Sequence, residues 1–600
     1  MTHPSSFLLP SLLLTLGFAG CDPQGDGGDA SATEPDAPST DATSTAASTL
    51  EPTGGPTDPS GPPTSTGDDD TTTTTTSTTA PDDGTTASAS TTGADDGTTT
   101  TPVDDTTSTG GEDDTTTTGA TLPDDTTTTT GATLPDDTTT TTGPDDDTTT
   151  TTGPDGDTTT TGGALECDDG VAWVRHIPNH AKARFFHDIV VDADDNLLAA
   201  GNFWQTADFG GGPLTAGDAA TADGFLVKYG PQGEHLWTRQ FGGAEEQRLY
   251  GVALAGNGDI VVVGKFRGAL VLGDAQLQSA GLDDGFVARL DPAGVPLWSR
   301  GFGGPGDDSG WHVAVDGGGN VVLTAQSAGP IDFGAGPLGQ GDAAHVVRFD
   351  PAGAPLWHRS YNAQYINMRG VAVGPDHAVV VTGDFAGTYD FGAGPMGQPG
   401  GHVFVLKLEP DGDLAWAVVN KGIGDYGSPS LEGLATDGAG RIHLGGLFTG
   451  QIGFGGPLVT TAGQLDAWVA TLSPGGAQLS LSAHGSGPTT WQWISDVAAD
   501  AAGNTAVSGS FQGTIAFGDD SLTATPGDKK FDIFAARFDE SGAPIGARSF
   551  GAPGDQFGDA IALGADGSTW LAGSFRGTFE IDGETLPVTE YDGYVARLCP

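Results

Sequence analysis

Between residues 171 and 600 the chain runs through one phrase seven times. A small-apolar strand leads to a Gly/Asp turn and an apolar strand ending Gly-x-Phe. An Asp/Gly-rich excursion follows, then an aromatic-x-x-basic strand, a tight turn and Trp-x-Arg. Gly-x-Phe falls at Gly201–Phe203, Gly264–Phe266, Gly383–Phe385, Gly446–Phe448, Gly509–Phe511 and Gly573–Phe575, with Ala325 and Ser327 in a degenerate third copy. The spacings are 63, 61, 58, 63, 63 and 64 residues. A regular period of this size, built of short strands, predicts a stacked or radial repeat in which each unit covers its neighbours.

Each copy resolves into four strands. In the third these are Val313–Val315, Val321–Thr324, Val346–Phe349 and Pro355–Trp357. Turns such as Asp316–Asn320 and Asp350–Gly353 supply residues that tolerate positive φ and bond their own backbone, which is hairpin chemistry. Four antiparallel strands in seven units predict an all-β, seven-bladed β-propeller over residues 167–600. The ends are out of phase with the repeat. The region opens on a fourth-strand phrase, Val171–Arg175, and closes on a third-strand phrase, Tyr594–Leu598. The last blade therefore borrows its fourth strand from the start of the region, which leaves no open edge. Cys167 and Cys599 fall at neighbouring positions of that shared blade's turn, so their spacing predicts a disulfide clasping the two ends.

The phrase Val315-Asp-Gly-Gly-Gly-Asn-Val-Val322, in seven in-phase copies, resembles the bacterial SBBP-type (seven-bladed β-propeller) repeat. Departures are Ala325-Gln326-Ser327, and Ser480 and Gly546 where other copies carry Trp. The resemblance covers 171–600 and implies an exported, lipid-anchored envelope protein. The first residues agree with that. Residues 1–20 hold a short apolar run too brief for a permanent membrane span. The run ends Phe18-Ala19-Gly20-Cys21, which resembles a lipobox and implies lipidation of Cys21. Its n-region carries no Lys or Arg, and Phe18 stands where Leu is usual.

Residues 21–166 are Thr runs punctuated by Pro, Asp and Gly, with no aromatic, Lys or Arg. Nothing there can offset the cost of ordering, so a disordered linker is expected. The formal net charge is −57, and all 22 bases follow residue 170. Clustered cations, which phosphate contacts need, are lacking, so nucleic acid is excluded as a partner.

The expected partners are the membrane, through the anchor, and an envelope protein or glycan. A monomer in the outer membrane or at the cell surface is expected. Long connections between fourth and first strands and between second and third strands emerge on one face, the natural place for binding. Repeat-breaking aromatics on that side make Trp491, Trp493, Tyr361 and Tyr365 the candidate binding residues, suited to stacking on sugars. If Trp491 and Trp493 were buried between blades, that reading would lose its main support. Asp307, Asp308 and Asp555 are weak candidates for Ca²⁺, since no run matches a full calcium loop. No cofactor is expected. His176, His180 and His187, with Asp188, fit no zinc signature.

No catalytic motif is present, and an enzyme is not expected. The alternatives are a secreted propeller lyase or hydrolase and a purely structural surface protein. An enzyme would place nonrepeating residues in the central funnel, and a carboxylate pair with raised pKa there would favour it. The third strands carry a basic column (Lys228, Arg289, Arg348, Lys407, Arg537, Arg597, with Thr471 the exception). An aromatic column stands three residues earlier (Phe225, Phe286, Phe404, Trp468, Phe534, Tyr594). Such regular columns are expected to serve the scaffold, the aromatics wedging between blades and the bases pairing across them.

Overall fold

A computed structural model describes residues 170–178, 185–218, 220–339, 341–362, 365–421, 429–526, 530–586 and 591–600. The leader 1–20, Cys21, the linker 21–166, Cys167 and His180 lie outside them. Among the described residues there is no helix.

Seven antiparallel four-stranded sheets form in chain order. Blade 1 is Phe186–Val191, Leu197–Phe203, Asp223–Tyr229 and His235–Phe241. Blade 7 takes Gly554–Leu563, Thr569–Gly577 and Asp592–Leu598 from the end of the chain and Val171–Ile177 from the start of the propeller. Val174 pairs with Ala596 and His176 with Tyr594. The first strands of successive blades lie side by side, and that of blade 7 lies beside that of blade 1, so the ring closes. The fold is the seven-bladed β-propeller expected from the repeat.

Apolar side chains fill the gaps between blades. At the closing seam Phe225 and Val227 of blade 1 share one cluster with Trp570 and Val595 of blade 7. The aromatic column is buried throughout, from Phe225 at 0% to Phe534 at 1% exposed. The Asp-Phe-Gly phenylalanines Phe209, Phe333 and Phe391 are buried too, so these residues pack each loop. The basic column bonds the acid of its own blade's first turn: Lys228 to Asp192 at 2.7 Å, Arg289 to Asp259 at 2.8 Å, Lys407 to Asp376 at 2.7 Å and Arg597 to Asp566 at 2.6 Å. Arg289 also reaches Gly319 O of the next blade at 3.0 Å, and Arg348 reaches Pro410 O at 3.0 Å.

One expectation is corrected. Two of the connections between fourth and first strands are shorter than expected: blade 3's first strand begins at Asp308 and blade 7's at Gly554. Asp308 and Asp555 are therefore strand residues, because the inner strands extend further towards that face than their apolar pattern shows.

Candidate functional site

Each first, innermost strand carries one irregularity, at the same place in all seven blades. Register shifts fall between Phe186 and Asp188, Leu249 and Gly251, Gly310 and Val313, Met368 and Gly370, Leu431 and Gly433, Ile494 and Asp496, and Gly558 and Ala560. In six blades the glycine of Gly-x-Phe makes room for it; in blade 3 Ala325 stands at that position, opposite Gly310 of the inner strand, and the register shifts all the same. A Cβ at Gly383 would collide with the carbonyl of Asn367 on the inner strand and with the Phe404 ring on the third strand. Without that Cβ the inner strand settles onto the second strand, and one residue is extruded as a bulge. Bulges re-aim side chains and recur beside functional sites.

The extruded residues are His187, Tyr250, Trp311, Arg369, Glu432, Ser495 and Asp559. No two are alike, although their neighbours repeat. Five of them meet a neighbour of the same row. His187 stands edge-on to Tyr250, centroids 5.2 Å apart, and Tyr250 stacks on Trp311 at 4.5 Å with 19° between planes. Arg369 lies 4.0 Å from Glu432. The belt thus has an aromatic arc over blades 1–3 and a charged arc over blades 4–5. It runs from the second residue of the first strand in blade 1 to the sixth in blade 7, and lies at the fourth of eight residues in blades 2, 3, 4 and 6.

A second row comes from the middle residue of Gly-x-Phe. Asp384 accepts from Arg369 Nε at 2.6 Å and from Asn367 Nδ2 at 2.9 Å. Lys265 pairs with Asp283 at 2.7 Å, and Arg267 pairs with the same carboxylate at 2.6 Å. Ser574 donates to Asp559 at 2.9 Å. Arg248 pairs with Glu246 and lies 5.5 Å over the Trp204 ring. Burial works against the charge of Lys265 and of Arg369. Tyr250 and Asp283 outweigh it for Lys265, Glu432 and Asp384 outweigh it for Arg369, and both pKa values are raised. Burial raises Tyr250 despite the nearby Lys265 and Arg248.

The position after each bulge faces the next blade, where a small residue is the rule: Gly251, Gly370, Gly433 and Ala560. Asp188 and Asp496 break it in the same way. Each accepts a backbone N–H of the following blade, from Val252 and Ile561 respectively, both at 2.9 Å. Burial pushes Asp188 up to about 8, and the neighbouring Asp496 adds to the shift. His312, at the same position in blade 3, is pushed down to about 4 by burial and then by Arg369.

The aromatics expected to bind do not form a surface. Trp493 is 4% exposed, packs on Phe531 at 4.8 Å and donates to Ser495 Oγ at 3.1 Å. Trp491 is half-buried and donates to Gln464 Oε1 at 3.2 Å. Tyr361 is 6% exposed, within the blade 3–4 core, whereas Tyr365 is exposed. In Trp491-Gln-Trp493 the period of two that brings the residues to one side is interrupted by Trp493 packing under Phe531. The sugar-stacking role of that pair accordingly loses its support.

The acids are not gathered either. Asp308 is 1% exposed and accepts the N–H groups of Gly304 and Ala328 at 2.7 and 3.2 Å; Asp555 pairs with Lys530 at 2.6 Å, and Asp307 lies 3.8 Å from Arg267. Among the described residues no group of three metal-ligating side chains converges. His176 bonds Asp592 at 2.8 Å, remote from the partners of His187. Cys599 is 8% exposed, and its N–H donates to Gly170 O at 3.0 Å. Of the belt, sequence reasoning had singled out His187 alone. The missed signal was a column, found by aligning the first strands, in which all seven copies differ.

No family model matches the chain. An uncharacterised WD repeat-containing protein of Acanthamoeba polyphaga mimivirus is 24% identical over 167 residues, 24% of this chain. The match spans only 12% of that relative's length. Among solved structures, a catalytically inactive virginiamycin B lyase of Staphylococcus aureus aligns over 70% of this chain and 98% of its own, at 9% identity and TM-score 0.36. The Neurospora crassa Pan2 WD40 domain aligns over 69% and 89%, at 10% identity and TM-score 0.36. A Streptomyces coelicolor aldose sugar dehydrogenase aligns over 58% and 94%, at 15% identity and TM-score 0.29.

Proposed function

We propose that the chain is an exported binding module whose ligand seats at the channel mouth on the loop face. One observation carries this reading. A scaffold repeated seven times places seven different side chains at the one position where its inner strands bulge, and five of them meet a neighbour of the same row: His187, Tyr250 and Trp311 in one group, Arg369 and Glu432 in another. Identical columns serve the ring; a column of unlike residues has no shared structural task and suits recognition. Export rests on the lipobox-like Phe18–Cys21, with Cys21 as the lipid-bearing residue and 22–166 as the tether. The SBBP-type resemblance agrees with an envelope surface location. A Cys167–Cys599 bond is part of the same proposal. The pairing of Val171–Ile177 with the last strand supports it.

The test is adsorption of the exported chain to its own cell envelopes. Trp311→Ala and Arg369→Met are expected to abolish adsorption, and Leu479→Ser, at an exposed position of the outer strand Gln478–His484, to leave it intact. Retention by both mouth variants would refute the placement.

An enzyme is the second reading, and Asp188 is what favours it: a carboxylic acid raised to about 8 by burial, with the charge of Asp496 adding to the shift. Against it, both carboxylates are spent in one repeated structural way, on the N–H of the next blade. Turnover of any ester, amide or glycoside that is lost in Asp188→Asn would favour the enzyme.

A further inference from the structure

We propose that the ligand at the channel mouth is a neutral saccharide. This rests on the mouth being the binding site and adds what that site selects. Three observations point the same way.

The first is shape. Tyr250 and Trp311 lie nearly parallel and in contact, so they act as one rigid platform, with Trp311 half-buried at its open end. An aromatic face of this kind takes an apolar or C–H-bearing ring by stacking, at little conformational cost. The C–H face of a pyranose is such a ring.

The second is the polar arc beside it. Arg369 is held by Asp384 at 2.6 Å and lies 4.0 Å from Glu432; Asn367 is bonded to the same Asp384 at 2.9 Å. A guanidinium has five donors in a fixed fork, and one of them is engaged by Asp384. Carboxylates accept at two oxygens. Planar donors and acceptors pre-set side by side match vicinal hydroxyls, which both donate and accept.

The third is charge. The chain carries −57 overall, which repels anions at a distance. At the mouth every cation named above is already matched: Arg248 with Glu246, Lys265 and Arg267 with Asp283, Arg369 with Asp384. An acidic ligand would have to displace a carboxylate from these pairs. A cationic one would have to displace Arg248, Lys265, Arg267 or Arg369 from the same carboxylates. A neutral polyol meets neither cost.

The experiment presents the intact exported chain to immobilised neutral saccharides and to matched uronate-bearing and sulphated ones. It is repeated with Trp311→Ala, the near-isosteric Glu432→Gln and the control Leu479→Ser, an exposed position on the outer strand Gln478–His484. Expected are binding to neutral saccharides, a loss of tenfold or more in Trp311→Ala, a loss of threefold or more in Glu432→Gln, and no change in Leu479→Ser. If Trp311→Ala does not fold, Glu432→Gln decides. Preference for acidic saccharides, lost in the mouth variants, would overturn neutrality and leave the site standing. Envelope adsorption lost in the mouth variants, with no saccharide bound, would overturn the saccharide and keep the site. Saccharide binding indifferent to both variants would overturn the inference and the site together.

Discussion

Gly383 shows how one missing side chain positions another. Its Cβ would occupy the space of the Asn367 carbonyl and the Phe404 ring, and the bulge at Arg369 depends on that space. Gly383→Ala is expected to destabilise the fold by roughly 2–4 kcal/mol, as overpacking of a tight site does, measured by urea unfolding. Asp188 is the second residue with a measurable consequence. Its folded pKa, about 8, stands above the ordinary 3.8. The native state therefore holds a proton that the unfolded state releases between those values, and stability falls as pH rises from about 4 to about 8. Asp188→Asn keeps an acceptor for Val252 N–H and removes the ionisation. Its melting temperature should match that of the wild type near pH 4 and exceed it at pH 8; equal curves at both would refute the assignment.

At the scale of elements, the blades are joined by a rule with two exceptions. The fourth-strand Trp clamps the next blade: Trp173 donates to Pro231 O at 3.0 Å, Trp357 to Pro410 O at 2.9 Å and Trp416 to Pro474 O at 3.1 Å. Blade 6 has Gly546 in place of the Trp, and blade 5 lacks both the basic-column residue, at Thr471, and the Trp, at Ser480. Arg441 compensates from the neighbouring turn. It pairs with Asp437 and donates to Ala502 O at 2.8 Å and Glu540 O at 2.9 Å. Arg441→Ala is expected to cost about 1–3 kcal/mol and to accelerate amide exchange at the seam between blades 5 and 6 before other seams.

The strands, their turns and their pairing were legible because apolar alternation and Asp/Gly/Asn turns act locally. The bulges were not, because in six blades they form where a carbonyl on one strand meets a bare Cα on another. Trp491 and Trp493 misled for a related reason. Breaking the repeat marks a residue as unusual, but only packing says whether it faces solvent. The boundary of each inner strand was also hidden, since residues such as Asp308 and Asp555 are polar yet paired.

At the scale of the molecule, the ring depends on Val171–Ile177. Without this strand blade 7 keeps three strands, and Asp592–Leu598 becomes an exposed edge. A chain beginning after Ile177 is expected to aggregate or to melt at least 10 °C below the full propeller, followed by calorimetry. Closure matters to the site as well, because the mouth is continuous only if the inner strands of blades 7 and 1 stay adjacent. The measurement that tests the central claim most directly is amide hydrogen exchange on the exported chain with and without its own envelope fraction. Protection is expected in peptides spanning Tyr250, Trp311, Arg369 and Glu432, and absent from the turns of the opposite face, such as Asp316–Asn320. Protection confined to those turns, with the mouth unchanged, would contradict it.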